Sequence, residues 1–354
     1  MEALIDRFGE PGLLVAAGAF VGVFFGISAY HSRFCLRAAT AEVAGGSLGP
    51  KLSIWLVAFL SALTSVQILI LLGLLDVSSA RQLAATGSMS GAIIGGLMFG
   101  CGMILARGCV SRLLVLSASG NLRAIITGLV VTLTAQAALS GVLAPAREKL
   151  AGLWTVAGGQ GRYLVHLDAT TLPVAAALGL GALMLAFVFG RNKGVRASEL
   201  VAAAGVGLAV GLGWWLTFAI AAASFEVVAV QSVTFTGPST DTLMALVNER
   251  DLPLSFGLGL VPGVFLGALI AALVKGEAKI QRFGPDVPME RYLIGGILMG
   301  FGSMLAGGCA VGAGVSGGAI LALTAWVAVF CMWVGAVATQ LVVNARVAGQ
   351  AAAT

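Results

Sequence analysis

Apolar residues run through this chain in stretches that are too long and too uninterrupted for the core helices of a soluble domain. Segments of bilayer length, about 20 residues each, fall at 12–30, 53–75, 89–106, 121–144, 172–190, 199–217, 253–274, 289–306 and 317–343. Most carry no charge in their middles. They group as four, one and four. That grouping predicts a first repeat over 12–144, a connecting transmembrane helix at 172–190 and a second repeat over 199–343. The odd connecting segment makes the second repeat enter the membrane from the opposite side. The predicted fold is an all-α integral membrane protein of two inverted-topology repeats, with about nine membrane segments.

A repeated phrase supports the pairing of halves. "GGLMFGCGMILARGC" at 95–109 returns as "GGILMGFGSMLAGGC" at 295–309, and Gly95, Gly96, Gly100, Gly102, Leu105, Ala106, Gly108 and Cys109 each recur 200 positions later. Neither copy leads into a stretch able to cross a bilayer. "VSRLLVLSAS" after Cys109 is too short, and "AVGAGVSGG" after Cys309 is short and glycine-rich. Irregular backbone at membrane depth persists only where protein or a water-filled cavity satisfies its polar groups. Helix breaks are therefore predicted at Cys109 and Cys309, and segments 89–106 and 289–306 are either full spans or re-entrant arms.

Composition fits this picture. Charged residues are 10% of the 354 and hydrophobic residues 59%, with mean hydropathy +1.02, whereas a soluble domain carries about 25% charged residues. The 50 glycines suit close helix crossings, as at the GxxxG steps Gly18, Gly22 and Gly26. Net charge is +5, but no Lys/Arg block suggests nucleic acid binding. If all nine segments span, one side holds 14 of the 20 Lys and Arg residues and the other side 6. The positive-inside rule then puts the N-terminus outside and the C-terminus in the cytoplasm. The opening "MEALIDRFGEPG" is acidic and polar, unlike a cleavable signal peptide.

Candidate chemistry rests on few residues. There are five cysteines and two histidines and no CxxC, so neither a zinc site nor a paired-cysteine redox motif is expected. No cofactor or metal is expected, and no P-loop for ATP is present. The repeat singles out Cys109 and Cys309, each preceded by a glycine (Gly108, Gly308) and reached through a glycine-rich helix (Gly100, Gly300). Cys35 sits in "AYHSRFCLRAA" between Arg33 and Arg37, and the corresponding stretch of the second half, read as "GLGWWLTFAIAAASFE", has no cysteine. Cys101 and Cys331 read as packing residues. Arg107 and Arg112 flank Cys109 where the second copy has Gly307 and Gly312. Arginines at a membrane-depth break attract anions, and a helix starting near Cys109 adds its positive dipole end. The same arginines also fit a plain marker of the cytoplasmic face. His31 reads as interfacial, and His166 lies in a polar connector.

These residues carry a resemblance. "SRFCLRAA", "GCGMILARGCVSRLL" and "GGILMGFGSMLAGGCAVGAG" resemble the YeeE/YedE family of membrane sulfur transporters, over about 12–343. The resemblance implies a bacterial inner-membrane protein, not an enzyme, that takes up thiosulfate or a related small sulfur anion. It implies a route lined by three cysteines, here Cys35, Cys109 and Cys309, and work beside a separate TusA-like sulfur-carrier protein. With the topology above, Cys109 would be the central contact, Cys309 the outer-side partner and Cys35 the contact nearer the cytoplasm. Thiosulfate is a dianion with a soft terminal sulfur, and a neutral thiol matches that sulfur without holding it too tightly to leave. Two other readings stay open: a membrane sulfurtransferase or redox protein forming a persulfide on Cys109, and a general small-anion channel with packing cysteines.

Overall fold

The computed structural model describes residues 5, 7–165, 170–248, 254–282 and 288–353; His166 lies outside them. Helices dominate: α1 (Glu10–Ser32), α2 (Leu36–Ala44), α3 (Pro50–Leu71), α4 (Met89–Leu105), α5 (Val110–Ala118), α6 (Leu122–Leu139), α7 (Ala144–Ala151), α8 (Leu172–Asn192), α9 (Ala197–Ala223), α10 (Thr236–Asn248), α11 (Phe256–Val274), α12 (Met289–Leu305) and α13 (Leu323–Ala353), with a π-helix at Ala310–Gly317 before α13. The strands are two-residue pieces, Gly87–Ser88 paired antiparallel with Thr155–Val156. Among the described residues, nine helices are long and apolar enough to cross a membrane. The spans match the apolar segments to within a few residues at most ends. The largest shifts are α9, which runs on to Ala223, and α13, which starts at Leu323 and runs on to Ala353.

Helix ends reflect local chemistry. Ser88 accepts from the Gly91 amide at 2.7 Å and Asn121 from the Ala124 amide at 3.0 Å, so α4 and α6 begin on side-chain caps. Pro50 opens α3, where its missing N–H has no partner to lose.

The centre of the molecule is the crossing of the two repeated phrases, α4 on α12. A Cβ on Gly95 would lie 2.5 Å from the Gly302 carbonyl oxygen, and one on Gly302 would lie 2.8 Å from that of Gly95. Gly102 and Gly295 meet in the same reciprocal way, each Cβ falling 2.7 Å from the other's carbonyl oxygen. Position i of one copy thus meets position j of the other, and j meets i, as on a local two-fold axis. Only glycine allows so close a backbone approach. The outer flanks repeat the logic: Gly100 abuts α13 at Met332 and Gly300 abuts α6 at Val131. These two glycines therefore pack helices together. Elsewhere α1 lies on α11 and α9, while α9 and α8 lie on α3.

Candidate functional site

Both copies of the phrase end in the same turn. α4 stops with Arg107 in the left-handed region (φ 56°) and α12 with Gly307 (φ 79°). The Gly108 amide returns to the Met103 carbonyl at 3.1 Å, and the Gly308 amide to that of Ser303 at 2.9 Å. This is a Schellman closure. The next residue is extended in both, Cys109 at φ −82°, ψ 169° and Cys309 at φ −81°, ψ −177°, and each heads a new helix: α5 and the π-helix. Rare π-turns concentrate at functional sites.

Cys35 follows a similar turn that lacks the closing amide bond. α1 ends with Arg33 at φ 54°, and Cys35 is the extended residue at the head of α2. The chain therefore writes Arg33-Phe34-Cys35, Arg107-Gly108-Cys109 and Gly307-Gly308-Cys309 on similar backbone plans, with each thiol placed over the first turn of a helix. Cys309 accepts from the Gly312 amide at 3.4 Å. The Ala38 and Arg112 amides approach the Cys35 and Cys109 sulfurs without closing a cap bond.

The fold brings the buried thiols of Cys35 and Cys109 close enough to influence each other, without a hydrogen bond closing between them. Ser111 Oγ is 3.4 Å from the Cys109 sulfur. A cavity of about 250 Å³ opens above them, walled by Cys35, Arg33, Arg37, Lys51, Arg107 and Arg112 among others. Among the described residues, five cations and no carboxylate line it. Cys35 is 7% exposed at its floor, and Cys109 behind it is 1% exposed. Arg37 Nε is buried without a hydrogen-bond partner. Among the described residues the ion pairs are Arg33–Glu277 at 3.9 Å and Arg147–Glu148 at 3.1 Å, so four of the five cations lack an acidic partner there. Such a cavity concentrates anions.

Cys309 is not part of that wall. It is 1% exposed, and Gly307 and Gly312 stand where the first copy has its two arginines. Thr234 takes up the room, its Oγ1 lying 2.1 Å from where a Gly312 Cβ would be. Ser316 Oγ donates to the Val233 carbonyl beside it. The three cysteines thus sit in two settings, a pair under a basic cavity and a single thiol among hydroxyls and bare backbone.

The second-half place that answers to Cys35 is not in "GLGWWLTFAIAAASFE", because that stretch is the end of α9 and the loop after it. The residue heading α10, as Cys35 heads α2, is Phe235, fully buried and 5.1 Å from the Phe25 ring. The conclusion that the second half lacks this cysteine stands. Cys101 approaches the Gly335 carbonyl at 3.6 Å in a helix crossing, away from the cavity walls.

Three cavity cations, Arg33, Arg37 and Lys51, were not picked out by sequence, although Arg33 stands two residues before Cys35 as Arg107 does before Cys109. Arg162 was also missed. It is 5% exposed and donates to the Ala85 carbonyl and to Thr324 Oγ1, both at 2.9 Å. It thereby ties the polar connector to the start of α13.

Residues 31–338 match the family model described as Sulphur transport. The thiosulfate transporter TsuA of Spirochaeta thermophila is 28% identical over 337 residues, covering 89% of this chain and 94% of its own. The thiosulfate transporter TsuA of Escherichia coli is 24% identical over 352 residues, covering 91% of this chain and 92% of its own.

Proposed function

The chain belongs to the sulphur transport family, and on that premise we propose that it carries thiosulfate, or a closely related small sulfur anion, across the bacterial inner membrane. The carrying observation is the similar turn that sets Cys35, Cys109 and Cys309 at three helix heads, two of them close together beneath a cavity of cations. The names of its relatives supply the substrate.

Each thiol offers a weak S–H donor to a soft terminal sulfur, while the amides at the helix heads face the oxygens of the same ion. Cys309 receives the anion from outside, Cys109 takes it at the centre and Cys35 delivers it into the basic cavity. Glycine at the crossing of α4 and α12 keeps that passage narrow. The cavity face is the cytoplasmic one, since the loops that wall it lie on the side that holds 14 of the 20 Lys and Arg residues, and the N-terminus is then periplasmic. The reciprocal glycine contacts support two inverted repeats, 12–144 and 199–343, joined by the helix at 172–190. A separate TusA-like carrier would collect the sulfur at the basic face.

The test is uptake of sulfur-labelled thiosulfate into liposomes holding the purified protein, with excess unlabelled sulfate outside. Uptake that resists sulfate and is lost in Cys109→Ala is expected. Undiminished uptake in the mutant would sink the relay, and equal thiosulfate and sulfate fluxes would favour a general anion channel. The closeness of the two thiols also suits a sulfurtransferase. A stable persulfide on Cys109, with no accumulation of intact substrate, would favour that reading.

A further inference from the structure

Beyond the thiol-floored cavity lies a second basin of about 600 Å³, walled by Tyr30, Arg33, Arg112, Ser119, Glu277 and Lys279 among others. It shares Arg33, Arg112 and Leu116 with the first cavity, so the two adjoin. They differ in chemistry. The inner cavity offers a thiol, and the outer basin offers guanidinium, ammonium and phenol groups but no sulfur.

The outer wall is a fixed cover. The Lys279 amide donates to the Ser119 carbonyl at 3.2 Å and the Gln281 amide to the Gly120 carbonyl at 2.9 Å, while the Gln281 carbonyl accepts from the Leu122 amide at 3.2 Å. Asn121 Nδ2 donates to Gln281 Oε1 at 2.7 Å. Gly120 permits this contact: its φ is +92°, and a Cβ there would fall 2.6 Å from the Lys279 carbonyl oxygen. The loop thus holds Lys279 over the basin through main-chain bonds on both sides.

Among the described residues that wall the basin there is one carboxylate, and it is already engaged. Glu277 accepts from the Tyr30 hydroxyl at 2.7 Å and lies 3.9 Å from Arg33. Lys275 stands over the Tyr30 ring at 5.5 Å. One carboxylate against Arg33, Arg112, Lys275 and Lys279 leaves a surplus of positive charge that a second anion would neutralise.

We infer that this outer basin binds a tetrahedral oxyanion of the sulfate and phosphate class from the cytosol, which competes with the departing sulfur anion for Arg33 and Arg112. Hard oxygens suit guanidinium and ammonium donors, and the missing thiol removes any preference for soft sulfur. Glu277 sets the affinity: it repels the incoming anion and holds part of the donor set. The site makes net uptake sensitive to cytosolic sulfate or phosphate. Its role rests on the transport reading, whereas its chemistry rests on the basin alone.

The full-length protein in detergent is titrated with sodium sulfate, and separately with sodium phosphate, by isothermal calorimetry. One anion per chain is expected, with about tenfold weaker binding in Lys279→Gln and about tenfold tighter binding in Glu277→Gln. Opposite shifts from two exposed-loop substitutions cannot both arise from misfolding. Whichever anion binds more tightly identifies the occupant. In liposomes, sulfate on the basic face should slow thiosulfate uptake by the wild type and leave Lys279→Gln little affected. No binding of either anion by the wild type, or equal affinities in both variants, overturns the inference. Loss of sulfate binding in Cys109→Ala also overturns it, because the anion would then sit at the thiols. Calorimetry needs no flux, so sulfate binding without thiosulfate uptake would refute the transport reading and spare this one.

Discussion

Arg107→Gly separates function from architecture, because stability should stay nearly unchanged while transport falls. Arg107 holds φ 56°, a conformation costing about 1–2 kcal/mol for a side-chain-bearing residue. Its counterpart Gly307 occupies the same turn without that strain. Replacing Arg107 relieves it, but a glycine adds about 0.5–1 kcal/mol of unfolded-state entropy. Losing a cation at a helix C-terminus removes a further 0.3–1 kcal/mol or so. The balance lies between a loss and a gain of about 1 kcal/mol, centred near zero. Transport should respond clearly. A cavity of 250 Å³ is about 8 Å across, and at that range a cation and a dianion attract by about 1–2 kcal/mol in a largely aqueous dielectric. The concentration for half-maximal thiosulfate uptake should therefore rise by about five- to thirty-fold. Thermal unfolding in detergent and concentration-dependent liposome uptake measure the two effects, with Arg107→Lys as the charge-retaining control. Unchanged uptake in Arg107→Gly would make the cavity cations bystanders. A stability loss well beyond about 1 kcal/mol would refute the strain account.

Other substitutions test the frame around the site. Gly302→Val, whose Cβ would fall 2.8 Å from the Gly95 carbonyl oxygen, should cost about 1–3 kcal/mol by overpacking the central crossing. Gly181→Val should be silent in the same unfolding assay, since a Cβ there meets nothing within 4 Å. Arg162→Ala should cost about 1–3 kcal/mol by stranding the buried Ala85 carbonyl and Thr324 hydroxyl, read as a lower melting temperature. The Glu277 carboxyl is held below its usual range, chiefly by the Tyr30 hydroxyl and then by Lys275 and Arg33. A depressed carboxyl contributes its stabilisation above its unfolded pKa and loses it only as pH falls through the lower folded value. Sulfate affinity should therefore stay flat as pH falls from 8 through the usual carboxyl range at about 4.3, and a tightening in that range, matching Glu277→Gln, would show that the carboxyl titrates normally.

The membrane segments were legible because hydrocarbon imposes length and apolarity on each span. The repeat was legible because the tight crossing needs glycine at fixed places, which kept Gly95, Gly102, Gly295 and Gly302 recognisable. The breaks at Cys109 and Cys309 were legible because the residues after them could not form a further span. What stayed hidden depends on tertiary contact. Cys35 and Cys109 are 74 positions apart in sequence, and no periodicity announces that they meet. Left-handed arginines are invisible to composition, although an arginine two places before each of two cysteines was a readable sign. Arg162 sits in a polar connector, where burial by packing against α13 has no sequence signature. Phe235 was missed because α9 runs further than its apolar core suggests and moves the matching break downstream.

The asymmetry of the two settings bears on energetics. Fixed charges on one face change how long an anion resides there, but they cannot drive its net accumulation, since they act alike on entry and exit. The membrane potential, negative inside, opposes a dianion: at 2.3 kcal/mol per charge per 100 mV, inward passage of two negative charges costs about 4.6 kcal/mol. At equilibrium that would hold internal thiosulfate about two-thousand-fold below the external level. Uptake by an uncoupled path is then useful only if cytosolic chemistry consumes the ion as it arrives, or if two cations travel with it. A potassium gradient with valinomycin, imposed across liposomes, distinguishes these cases. For an uncoupled path, making the interior 100 mV negative should cut steady-state thiosulfate accumulation by that same factor. Accumulation that ignores the potential would mean electroneutral transport, and the co-transported cation would then have to be found by varying sodium and pH across the same vesicles.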